Sequence, residues 1–167
     1  MLILGFDPGV ATTGYGLIEK SGKNSFSLVT FGCIKTLAKT SFERRLSLIY
    51  HQAKHLLDYY EPDKIVIENV YFAKNAKTAI NVGQVKGVIL LAISQNRDSQ
   101  PISRRKIEIK EVAPLQVKMV LTGYGHASKI DVQKTVKKVL KLKNIPKPDD
   151  AADALALAIA YGQNCGK

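Results

Sequence analysis

Cysteine is scarce in this chain of 167 residues, which contains only Cys33 and Cys165. The two lie far apart and belong to no CxxC motif, so neither a disulfide framework nor a cysteine-based zinc site is indicated. We expect both to be ordinary apolar residues. His51 and His55 have zinc-like spacing but lack a third ligand, and they are interpreted as part of a surface helix face. With 46% apolar residues the chain can build a core without cross-links, which predicts a single domain over residues 1–167.

A targeting segment is also lacking at the N-terminus. Residues 1–7 carry no basic residue ahead of the apolar stretch, and that stretch meets an acid at Asp7. A signal peptide needs a basic start and a longer apolar region, and a membrane span needs about 20 apolar residues. The sequence therefore predicts a cytoplasmic protein.

Acidic residues are few, with 14 Asp and Glu against 25 Lys and Arg, and the net charge is +11. A field of this sign favours polyanionic partners such as nucleic acid. The charge is uneven, since residues 97–147 contain 13 bases and four acids, whereas residues 148–166 contain three acids and no base. This distribution predicts a basic approach surface beside an acidic pocket. A solvated helix face is an equally good interpretation of four of the lysines, which are Lys134, Lys137, Lys138 and Lys141.

The spacing of apolar residues predicts a mixed α/β domain. Three strands come first as an antiparallel meander, helices and strands then alternate, and the chain ends in helices. The predicted strands cover residues 2–6, 14–18, 26–34, 64–68 and 107–112, and the predicted helices cover residues 42–60, 75–95, 114–121, 128–142 and 149–163.

The second predicted helix has small residues at four-residue intervals, at Ala79, Gly83 and Gly87. An internal Gly costs a helix about 1 kcal/mol relative to Ala, so these positions indicate that something packs very closely there. A neighbouring element of the same domain is the preferred interpretation. The alternative is the helix of a two-fold partner.

Four acids stand at positions suited to metal binding. Asp7 and Glu68 each end an apolar strand, and Asp150 and Asp153 share one face at the start of the last helix. Taken alone, the last pair is interpreted more readily as helix capping. If all four converge, their charges repel one another and raise pKa values unless a cation neutralises them. Oxygen ligands without Cys or His predict Mg²⁺ or Mn²⁺, and two such ions can clamp a phosphate for hydrolysis.

Three motifs occur in order along the chain. They are Gly5-Phe6-Asp7-Pro8-Gly9 with Thr13-Gly14-Tyr15-Gly16, then Ile67-Glu68-Asn69-Val70-Tyr71-Phe72-Ala73-Lys74-Asn75, and finally Asp150-Ala151-Ala152-Asp153-Ala154-Leu155-Ala156. In these motifs, and almost from end to end, the sequence resembles the RuvC family of Holliday-junction resolvases, which are nucleases with a ribonuclease H-like fold. The resemblance implies a mixed five-stranded sheet flanked by helices.

The resemblance also assigns roles to residues. It implies that Asp7, Glu68, Asp150 and Asp153 are the catalytic acids that bind Mg²⁺, with two ions per subunit. It implies DNA contacts for five further side chains, which are Tyr71, Phe72, Lys74, Lys118 and Lys129. Tyr71 stands where the family usually has Phe, and Asn69 where Gln is common; stacking on a base tolerates the first change because Tyr keeps the aromatic face.

By the same resemblance, we expect a bacterial homodimer that nicks four-way DNA junctions symmetrically in recombination and repair, together with the branch-migration proteins RuvA and RuvB. Three other functions remain open at this point. One is a related nuclease acting on RNA, and another is a junction-binding protein without catalysis. The third is an actin-like phosphotransferase, which the turn Asp7-Pro8-Gly9 also fits, but which needs a second similar domain.

Overall fold

The computed structural model describes residues 1–69, 76–98 and 107–163. The strands are β1 (Leu2–Asp7), β2 (Thr12–Gly22), β3 (Ser25–Lys35), β4 (Lys64–Glu68) and β5 (Glu108–Val112). The helices are α1 (Phe42–Tyr60), α2 (Ala76–Asp98), α3 (Pro114–Thr122), α4 (Lys129–Val139) and α5 (Asp149–Gln163). Every predicted element is present in the predicted order.

The strands form one five-stranded sheet in the order β3-β2-β1-β4-β5. β1, β2 and β3 are antiparallel neighbours, as the meander predicts, whereas β4 and β5 run parallel to β1. The apolar β1 and β4 therefore occupy the interior of the sheet, where both faces are covered. The mixed α/β sheet expected from the sequence is confirmed.

Alternating side chains of β1 and β4 face two helical layers. Ile3 and Val66 belong to the core shared with α3, α4 and α5, whereas Leu4, Phe6 and Ile65 belong to the core shared with α1 and α2. All five are fully buried. This alternation decides which layer the residues at the strand ends face.

Helix α4 ends earlier than predicted. The predicted helix runs to residue 142, but α4 stops at Val139, and Leu140 is its C-cap. Lys141 has φ of 52°, in the left-handed region, which ends the helical path.

Among the described residues, the close intradomain packing expected at the small residues of α2 is not found at the two glycines. Ala79 is buried, but a Cβ built on Gly83 or Gly87 would have no described atom outside the helix backbone within 4 Å. α2 packs on α1 through its other face, where Val85, Ile89 and others are buried. The two glycines therefore lie on a face that nothing in the described part of the chain covers.

The exposed face of α2 is also apolar. Ile80 and Leu91 are 56% and 49% exposed. By length and composition alone, Ala76–Asn96 is apolar enough to cross a membrane, with a mean hydropathy of 1.3. In this fold the helix packs on α1 through its buried face, and its apolar outer face is exposed in the described part of the chain.

Candidate active site

The ends of two parallel strands bring Asp7 and Glu68 together. Phe6 lies opposite Ile67 in the β1–β4 pair, so the next residue of each strand, Asp7 and Glu68, follows side by side. Because side chains alternate along a strand, Asp7 shares its face with Ile3, and Glu68 shares its face with Val66. Both acids therefore face α5, as Ile3 and Val66 do.

Two glycines let the start of α5 lie directly on the sheet. A Cβ on Gly14 would lie 2.0 Å from the carbonyl oxygen of Asp150, and one on Gly5 would lie 2.1 Å from that of Ala154. Only glycine permits such an approach, which carries the first turn of α5 to the ends of β1 and β4. Asp150 and Asp153 consequently join the two strand-end acids.

The carboxylates influence one another strongly. Burial raises the pKa of Asp7 to about 8, with further contributions from the charges of Glu68, Asp153 and Asp150. Burial and the charge of Asp153 also raise the pKa of Glu68, against a hydrogen bond with Asp7 that lowers it. The pKa of Asp153 is raised mainly by burial. As expected, the charges of neighbouring acids contribute to the raised pKa values of Asp7 and Glu68, but burial is the larger cause.

The chemistry of this site fits a hard divalent cation. All the donors are carboxylate oxygens, and the raised pKa values of Asp7, Glu68 and Asp153 show that this buried position disfavours the negative charge, a cost that a bound cation would offset. Within the described ranges, no three His, Cys, Asp or Glu side chains are already close enough to hold an ion. An ion bound here would therefore draw the acids inward.

Two lysines stand beside the acids. Nζ of Lys129, the first residue of α4, lies 2.8 Å from Oδ2 of Asp153. Lys118 and Lys129 line a cavity of about 220 Å³ together with Glu68 and Asp153, and its remaining lining is apolar. The structure thus brings together the acids and both of the predicted basic residues.

The other sequence predictions have mixed outcomes. Tyr71, Phe72 and Lys74 lie outside the described residues, as does Cys165. His51 and His55 are exposed on α1, which confirms their interpretation as surface residues, and Cys33 is a free, half-buried thiol. The sequence analysis missed the contact role of Gly5 and Gly14, although a glycine inside an apolar strand is a recognised sign of close backbone approach.

The pKa of Asp7 predicts how stability depends on pH without metal. With a pKa of about 8, Asp7 keeps its proton in the folded protein up to about pH 8, whereas an unfolded chain releases it near pH 3.8. The folded state therefore binds more protons over this interval, and stability falls as pH rises through it. In EDTA, Asp7→Asn should raise the free energy of unfolding at pH 9 by roughly 2 kcal/mol and change it little at pH 4.

Urea denaturation at the two pH values measures this difference. Asp131→Asn is the control, because the pKa of Asp131 is lowered by its hydrogen bonds to Ser128 and its loss should destabilise the fold above pH 4. An equal effect of Asp7→Asn at pH 4 and pH 9 would contradict the raised pKa.

Comparison with known proteins agrees with this geometry. The family model for "Crossover junction endodeoxyribonuclease RuvC" matches residues 3–161. A protein of that name from Dictyoglomus turgidum is 48% identical over 161 residues, which cover 96% of each chain. RuvC of Thermus thermophilus superposes with a TM-score of 0.86 at 28% identity, covering 98% of this chain and 94% of that one, and its complex with a Holliday junction substrate superposes with 0.87. The chain therefore belongs to the RuvC family of crossover junction endodeoxyribonucleases, whose fold it shares.

Proposed function

We propose that this protein resolves four-way DNA junctions by hydrolysing phosphodiester bonds in two strands. The observation that carries the proposal is the convergence of Asp7, Glu68, Asp150 and Asp153 at the carboxyl ends of β1 and β4. When ionised, four carboxylates this close together need a cation to offset their negative charge. We assign the four acids to two Mg²⁺ ions, for which Mn²⁺ can substitute. Such ions would activate water and stabilise the leaving oxygen.

The remaining residues act on the DNA. Lys118 and Lys129 line the cavity beside the acids, where their charges can attract a phosphate and stabilise charge that develops during cleavage. The exposed lysines of α4 and the following loop extend this positive surface away from the site. We assign base stacking to Tyr71 or Phe72 and a backbone contact to Lys74, on the basis of the family motif alone.

Junctions are the proposed substrate because of the family. The Thermus thermophilus relative was solved with a Holliday junction substrate, and its fold covers nearly the whole of this chain. The junction has two equivalent strands to cut, which a two-fold dimer with one site per subunit matches. We also propose that the protein acts together with RuvA and RuvB in the bacterial cytoplasm.

Cleavage of three synthetic substrates tests it. We expect Mg²⁺-dependent nicking of a four-way junction and little cutting of a linear duplex or an RNA–DNA hybrid of the same sequence. Preference for the hybrid would support the RNA-directed alternative. Binding of the junction without any cutting would support the non-catalytic one.

The proposed dimer has a structural counterpart on α2. Ile80, Gly83, Gly87 and Leu91 recur at three- and four-residue spacing on its exposed face, which makes a smooth apolar strip. Gly83 and Gly87 make the helix of a monomer less stable than alanine would, and no described residue outside the helix packs on them. Their lack of side chains allows a second helix to come close. We propose that the equivalent strip of a second copy packs there.

Leu91→Glu should break the dimer, because it places an unpaired charge within the proposed apolar interface. We expect the dimer dissociation constant to rise roughly thirtyfold or more. Sedimentation equilibrium measures this. Leu37→Glu is the control, since Leu37 is 64% exposed, belongs to the segment between β3 and α1, and is not part of the α2 strip. A wild-type protein that sediments as a monomer, or a Leu91→Glu protein that remains dimeric, would contradict this interface.

A further inference from the structure

Without a metal ion, the ammonium of Lys129 partly neutralises the acid cluster. Its Nζ lies 2.8 Å from Oδ2 of Asp153 and 3.9 Å from Oδ2 of Asp149. Asp149 already has a closer partner in Lys147, whose Nζ lies 2.7 Å from Oδ1. Lys129 is therefore committed mainly to Asp153, one of the four proposed metal ligands.

The backbone of Lys129 is held in place by the start of α4. Ser128 caps the helix by accepting a hydrogen bond from the backbone N–H of Asp131, and the Asp131 carboxylate accepts one from the Ser128 N–H. Lys129 follows the cap directly, so its backbone is held while its side chain, 51% exposed, remains free to move. An ammonium in this position can leave its carboxylate without disturbing the fold.

We propose that Lys129 is a resident counter-cation, which competes with the divalent ion for Asp153 and passes to the DNA phosphate when the ion binds. The two cations cannot occupy the same carboxylate oxygen, because their charges repel at that distance. Once released, the Lys129 ammonium can turn into the neighbouring cavity, which Lys129 lines together with Lys118. The proposal rests on the metal-binding role given to the acids under the proposed function.

Removing the competitor should therefore tighten metal binding. In the absence of DNA, Lys129→Met should bind Mn²⁺ about fivefold more tightly than wild type, the change expected when one exposed ion pair no longer competes. Electron paramagnetic resonance of free Mn²⁺ measures this affinity without any cleavage. Lys129→Arg keeps the charge and the contact, and it should bind Mn²⁺ as the wild type does.

A matched variant separates direct competition from a general change of charge. Lys147→Met removes the same charge close by, but from Asp149 and not from Asp153. It should leave the Mn²⁺ affinity within about twofold of wild type, because an exposed charge at a distance is largely screened. A gain equal to that of Lys129→Met would overturn the competition.

Asp153→Asn tests the shared carboxylate. If Lys129 and the ion compete for Asp153, the gain from Lys129→Met should disappear when Asp153 is also replaced by Asn. A gain that persists in this background overturns the proposal. Absence of Mn²⁺ binding by the wild type would instead remove the proposed metal site itself, so the two failures are distinguishable.

Discussion

Asp7→Asn and Asp150→Asn should each abolish junction cleavage while leaving junction binding nearly intact. Both carboxylates belong to the cluster to which we assign the metal ions, and replacing a charged oxygen ligand with a neutral amide weakens the hold on a hard cation. We expect the cleavage rate at saturating enzyme to fall roughly a thousandfold or more, as when a group essential to the chemistry is lost. Single-turnover cleavage of a synthetic four-way junction in Mg²⁺ measures it.

The two variants should still bind the four-way junction. Phosphate contacts by lysines provide most of the affinity of a protein for DNA, and neither substitution removes a lysine. The dissociation constant for the junction, measured in Ca²⁺ or EDTA, should stay within about threefold of wild type. Asp58→Asn is the matched control, since Asp58 is an exposed acid of α1, on the opposite face of the sheet from α5, and its loss should leave cleavage in place. If either Asp7→Asn or Asp150→Asn cut the junction as fast as wild type, the replaced acid would not be required for cleavage.

Gly14→Ala should be among the most destabilising single substitutions in the fold. A Cβ there would lie 2.0 Å from the carbonyl oxygen of Asp150 and 2.4 Å from its carbonyl carbon. Both obstacles are backbone, so no side-chain rotation relieves the clash, and α5 must move away from the sheet. We expect a loss of about 3 kcal/mol in the free energy of unfolding, measured by urea denaturation.

The same movement should also damage the site. Displacing the first turn of α5 carries Asp150 and Asp153 away from Asp7 and Glu68, so cleavage at a temperature where the variant is folded should fall at least tenfold. Gly22→Ala is the control in the same strand, because its Cβ would meet Ser25 at an ordinary 3.5 Å. A Gly14→Ala protein as stable and as active as Gly22→Ala would show that close contact between helix and sheet does not position the acids.

Much of this architecture follows from local patterns. The apolar run before Asp7 is predicted to be a strand because it is too short for a helix and meets a turn, and the run before Glu68 because it has three consecutive β-branched residues. The pairing of β1 with β4 confirms both. The last helix was predicted with its bounds, Asp149–Gln163. The strands and the last helix are both encoded in contiguous sequence, by the spacing of apolar residues and by the residues that begin or end each element.

Contacts between distant segments are what the sequence could not provide. Nothing in residues 128–153 alone says that Lys129 reaches Asp153, because the contact depends on how α4 packs against α5. The glycines of α2 show the same limitation, since small residues indicate close packing without saying against what. The preferred partner lies inside the domain, but no described residue outside α2 comes within 4 Å of a Cβ built on Gly83 or Gly87.

The central claim, that the four acids bind the ion used for cleavage, is tested most directly by crystals grown with Mn²⁺. Anomalous scattering at the manganese edge locates such ions without reference to activity. We expect peaks contacted by Asp7, Glu68, Asp150 and Asp153. Manganese bound elsewhere, with the four acids still unligated at saturating concentration, would contradict the account.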